Sequence, residues 1–199
     1  MTELEINNFC RRYNIRAYAI NEDMSIDVDG FVDISNCDFV GELPLNFNKV
    51  SGKFDCSSNE LTTLKGCPKE VGGKFDCFNN ILTDLKYCPE VVGGSFHCDD
   101  NEITTLEYCP KEVGGFFNCN RNDIPDLIGF DTKFEENIYT KGNPIGEIFH
   151  NGTYDFIKAF KIYKVLKGKE VNLKRLKYIM ELFDKNIDLE GIKECYDIV

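Results

Sequence analysis

Four residues are placed to do chemistry if the chain brings them together: Asp76, His97, Asp99 and Asp100. Carboxylates beside an imidazole can hold a divalent metal or work as an acid–base pair. Their spacing argues for something plainer. Asp99 and Asp100 are adjacent and should splay to opposite sides of a strand, and the only other histidine, His150, lies far along the chain. A solvated acidic patch is the expectation, with no metal, no cofactor and no catalytic residue. The chain contains no Ser-His-Asp or Cys-His order and no phosphate-binding glycine loop, so an enzyme is not expected.

The ten cysteines invite a second chemical reading. A tetrahedral zinc site wants ligands converging from closely spaced Cys pairs, and none occurs. Seven cysteines instead fall into two evenly spaced columns, Cys56, Cys77, Cys98, Cys119 and Cys67, Cys88, Cys109. Such spacing assigns them to structure, as thiols filling small apolar positions in a reducing compartment.

What positions all of these residues is a repeat. Val71 to Glu90 reads VGGKFDCFNNILTDLKYCPE, with copies before and after it every 21 residues. Phe54, Phe75, Phe96 and Phe117 form one column. Asn59, Asn80, Asn101, Asn122 and Asn143 form another. A sustained period of this length predicts a solenoid whose units bury their apolar faces only against neighbours. Within a unit, the alternation x-Phe-x-Cys-x predicts a short strand with ring and thiol inward, pairing in parallel with its copies. The asparagines should form a stacked ladder that satisfies turn backbone at every level. Pro68, Pro89 and Pro110 predict an extended, non-helical return side. The pairs Gly72-Gly73, Gly93-Gly94 and Gly114-Gly115 predict either a turn at positive φ or a close backbone approach.

Residues 1–49 read as an N-terminal cap: a helix capped by Thr2, a hairpin over Ile15–Ile20 and Ser25–Val28, and an irregular first repeat offset by 22 residues. Residues 50–152 hold five 21-residue units. The period ends after Gly152, and 153–199 read as a helical cap, with one helix ended by Gly168, a second capped by Asn172 and a short third element from Asp188.

Charge is unevenly spread. The net charge is −11, yet residues 153–199 hold 10 basic and 8 acidic residues, leaving 13 basic and 26 acidic in the remainder. An acidic body repels nucleic acid and anionic membranes and favours a protein with a basic surface. No apolar run approaches the roughly 18 residues of a membrane span, and the charged N-terminus lacks a signal-peptide core. A cytoplasmic location is expected.

These units resemble leucine-rich repeats. The family's Leu-x-Leu-x-x-Asn-x-Leu core matches Phe75-Asp-Cys77-Phe-Asn-Asn80-Ile-Leu82 and its copies, and Thr83-Asp-Leu85 followed by Cys88-Pro89 resembles the short bacterial class found in effector ubiquitin ligases. Phe and Cys replace the strand leucines, and the Gly-Gly element lengthens the unit by one residue. In that combination the chain is most similar to LRR-like proteins of large tailed phages. The resemblance implies an α/β-type solenoid with a concave strand face that binds a partner. Outward positions on that face are polar except Phe78 and Phe116. The expected contact surface is therefore Phe78 and Phe116 as anchors, with Asp76, His97, Asp99, Asp100 and Arg121 around them. The leading expectation is a non-catalytic module that binds, and inhibits, a host protein. Two others stand beside it: an acidic decoy of a nucleic-acid-binding enzyme, and a self-assembling structural subunit.

Overall fold

The computed structural model describes residues 1–199. The chain is a β-solenoid of about five coils, in which two parallel sheets stack coil upon coil. The first, the face sheet, pairs 32–33, 54–55, 75–76, 96–97, 117–118 and 137–139 in sequence order, and 151–153 closes its end antiparallel. A second, the return sheet, begins with the hairpin of 18–20 and 26–28. It continues in parallel through 47–50, 70–71, 91–92, 112–113 and 133–134. The sequence reading of the return side as extended chain holds, and Val71, Val92 and Val113 organise it further into a sheet.

Registers follow the repeat. Phe54, Phe75, Phe96 and Phe117 are fully buried, and their ring centroids stack 5.7, 5.4 and 5.0 Å apart. That interval is close to the ~4.8 Å between neighbouring strands, so each ring covers the one before it. Cys56, Cys77, Cys98 and Cys119 lie beside them without exposed surface, and all ten cysteines are unbridged.

Gly-Gly corners join the return strand to the face strand, and they resolve as close approach. A Cβ on Gly93 would lie 2.2 Å from the Gly72 carbonyl oxygen, and one on Gly72 2.1 Å from that of Ser51. Positive φ angles recur elsewhere, before the return strand at Gly66, Tyr87, Tyr108 and Gly129 and just past the face strand at Ser58, Asn79, Asp100 and Arg121, the last four all between 51° and 54°. Here the asparagine ladder closes each turn. Asn101 Nδ2 donates to the carbonyls of Cys77, Cys98 and Asp99 at 3.1, 3.2 and 3.2 Å, while its Oδ1 accepts from Leu82 N–H at 3.0 Å. Asn59, Asn80 and Asn122 repeat this pattern, and Asn143 keeps its inter-coil bonds.

Helix α1, Glu3–Arg12, starts with a capping box between Thr2 and Glu5 and buries Ile6, Phe9 and Cys10 on the first coil. At the other end stand α2 (Tyr154–Ile162), α3 (Leu173–Leu182, capped by Asn172) and α4 (Leu189–Cys195, capped by Asp188). This segment is not purely helical, since 166–167, 170–171 and 197–198 form a small sheet. Nor does α2 run to Gly168. It stops at Ile162 because Lys164 takes φ 50° and Val165 N–H reaches back to the Phe160 carbonyl, a Schellman ending without glycine. Phe149, Phe156 and Phe183 pack edge to face and seal the coil stack, making one core from Ile6 to Tyr196. No helix is long and apolar enough to cross a membrane.

Candidate functional site

Parallel in-register pairing decides what stands on the outward side of the face sheet. It sets Asp55, Asp76, His97, Asn118 and Tyr139 in one file. Lys53, Lys74, Ser95 and Phe116 precede them by two residues, and Ser57, Phe78, Asp99 and Asn120 follow by two.

Lysines and carboxylates therefore interleave. Lys53 Nζ lies 2.9 Å from Asp55 Oδ2 and 3.1 Å from Asp76 Oδ2, and Lys74 Nζ lies 3.0 Å from Asp76 Oδ1. Asp76 is 1 % exposed, and neither of its oxygens has a well-directed hydrogen bond, so it is held by charge alone. Asp55 is better satisfied, accepting from Ser57 N–H at 3.0 Å and Ser57 Oγ at 2.6 Å. Burial pushes its carboxyl up, but the Ser57 and Lys53 bonds outweigh this and hold it below the usual carboxylate range. The Asp55 bond, and then Asp76, hold the Lys53 ammonium against burial and raise it.

His97 lies at the centre of the remaining residues. Its Nδ1 is 4.0 Å from Asp76 Oδ1 and 3.8 Å from Asp99 Oδ1, and its ring tilts against Phe116 with centroids 4.8 Å apart. Phe116 in turn meets Tyr139 edge on at 5.6 Å. Burial, reinforced by the Lys74 charge, lowers the imidazole to about 4, so the ring is neutral near pH 7. Asp99, 9 % exposed, is pushed up by burial. Arg121 then spans both acids, donating to Asp99 Oδ2 at 3.2 Å and bidentately to Asp100.

Three expectations change here. The acids are not a solvated patch: Asp76 and Asp99 are buried, and three cations (Lys53, Lys74, Arg121) meet four carboxylates (Asp55, Asp76, Asp99, Asp100). Asp99 and Asp100 do not splay apart, because the left-handed backbone at Asp100 turns both toward one guanidinium. Phe116 is no free anchor, since His97 and Tyr139 half-bury it. Phe78 is also half-buried but has no aromatic neighbour, and it stands apart from the His97 cluster. Lys53 and Lys74 are among the polar outward positions to which the sequence reading gives no role. The signal was available: Lys and Asp two apart on a strand share a side, and the 21-residue stacking doubles each pairing.

As chemistry, the arrangement is a neutral imidazole among immobilised ion pairs. A general base works best with a pKa near the operating pH, and His97 lies well below it. No protein-family model, curated protein or solved structure matches this chain.

Proposed function

We propose that the chain is a non-catalytic, protein-binding solenoid of the leucine-rich-repeat kind, and that the outward side of the face sheet is its contact surface. One observation carries this reading: Phe78 stays partly exposed, with no aromatic neighbour, on a side whose buried carboxylates are already paired with Lys53, Lys74 and Arg121. Interface centres are depleted in free charge and enriched in aromatic side chains, with a polar rim. Asn79, Asp100, Asn120 and Arg121 supply such a rim, on backbone fixed by the asparagine ladder and needing little reordering to bind. The internal pairing at Lys53, Lys74 and Arg121 speaks against an acidic decoy, which needs carboxylates free for a basic site. By the resemblance to phage LRR-like proteins, the partner is a host protein met in the cytoplasm.

Affinity capture from a host-cell lysate tests this with Phe78→Ala, which removes the aromatic least involved in the fold. A partner held by the native chain and lost with Phe78→Ala supports the face. Equal capture by both chains rules it out.

A further inference from the structure

Where the coils meet the C-terminal segment they leave a pocket of about 360 Å³, within the roughly 300–1,000 Å³ of small-molecule sites. Loop residues 126–129 form one wall, and Phe160, Lys161, Lys164, Leu166 and Lys167 form the other. Leu127 and Phe160 are buried and give it an apolar floor, while Ile128 stands exposed beside them.

The charges around this floor are unbalanced. Lys164 and Lys167 make no side-chain ion pair or hydrogen bond. Lys161 Nζ donates to the Phe130 carbonyl and lies 3.9 Å from the fully exposed Asp131; an ammonium has three donors, so it keeps capacity for a ligand. The one carboxylate in the wall, Asp126, already accepts Ile128 N–H at 2.8 Å. Arg175 adds a further cation, donating to the Lys164 carbonyl at 3.2 Å. On a chain of net charge −11, this is a local reversal of sign around an apolar surface. Lysines that line one pocket without ion-pair partners repel one another, and the exposed Ile128 and part-exposed Leu166 beside the floor cost hydration free energy. A ligand with an anionic head and an apolar body relieves both.

We propose that this pocket binds a small organic anion, its head among Lys161, Lys164 and Lys167 and its apolar body over Leu127, Phe160 and Leu166. The site is separate from the face sheet and does not depend on how that surface is used.

Titration of the ¹⁵N-labelled full chain with octanoate, octylammonium and inorganic phosphate tests it. Octanoate should give saturable shifts confined to residues 126–131 and 158–168. Lys164→Gln/Lys167→Gln, two exposed positions whose change leaves the rest of the spectrum in place, should weaken it by about tenfold. Absence of saturable octanoate shifts overturns the proposal. So does equal binding of octylammonium, which makes the pocket merely apolar, or of phosphate alone, which makes it a bare anion site. Shifts unaltered by the double substitution overturn it as well.

Discussion

The two sheets of the solenoid treat the same kind of charge pair in opposite ways. On the return sheet, Lys49 meets Glu70 at 2.6 Å and Lys111 meets Glu90 at 2.5 Å, with every side chain more than half exposed. On the face sheet, Lys53 meets Asp55 and Asp76 at 2.9 and 3.1 Å, yet those carboxylates are 10 % and 1 % exposed. Distance does not separate the two cases, but side-chain length does. Glutamate carries its charge out into water, where the pair is screened and contributes little. Aspartate keeps it down on the sheet, among the lysine side chains and, at Asp76, beside the His97 ring. A charge there depends on its partners, because the alternative is an uncompensated ion out of water.

The largest way to break the comparison is to break the corner that joins the sheets. Gly93→Val would drive a side chain into the Gly72 carbonyl, which cannot move without its whole coil. A loss of about 3 kcal/mol or more is expected from chemical denaturation. Next is Asp76→Ala, which strips Lys53 and Lys74 of a shared partner. Because both ammonium groups retain some water, the loss should be about 2 kcal/mol, below that of a fully buried pair.

Acid probes the same face more gently. His97 binds its proton less tightly folded than unfolded, so between its ordinary 6.5 and about 4 the unfolded chain holds more protons. Stability should be fully present above pH 6.5 and fall as pH drops through that window. Asp99 works the other way: its raised carboxyl takes up a proton more readily when folded, so acid favours the fold there. His97→Gln should therefore flatten the decline measured by pH-dependent unfolding, and an equal or steeper decline would overturn the assignment. The smallest effect belongs to the return sheet, where Glu90→Gln should leave the unfolding midpoint unchanged.

Much of this architecture was legible in the sequence, for a physical reason. A stacked coil repeats its environment, so Phe54 to Phe117 and Asn59 to Asn143 declare their roles by recurrence. The end of α2 was not legible because Lys164, not a glycine, takes the left-handed position. The buried charges escaped for another reason. Alternation along a strand tells inward from outward, but what covers an outward residue depends on the coils above and below. Asp76 reads as solvated until Lys53, Lys74 and His97 are stacked around it.

The asparagine ladder also has a direction. Each amide reaches back to the coil before it: Asn80 to the Cys56 carbonyl and Leu61 N–H, Asn101 to Cys77 and Leu82, Asn122 to Cys98 and Ile103. Every internal coil thus offers and demands the same groups, like links that fit any neighbour of their kind. Excising Val71 through Val91 would present Asn101 with the Cys56 carbonyl and Leu61 N–H that Asn80 used to hold. A shortened chain of this kind should still fold to a cooperative, correspondingly shorter rod, as circular dichroism and small-angle scattering would show. Copy number is an adjustable quantity in this molecule, set by where its two ends are sealed.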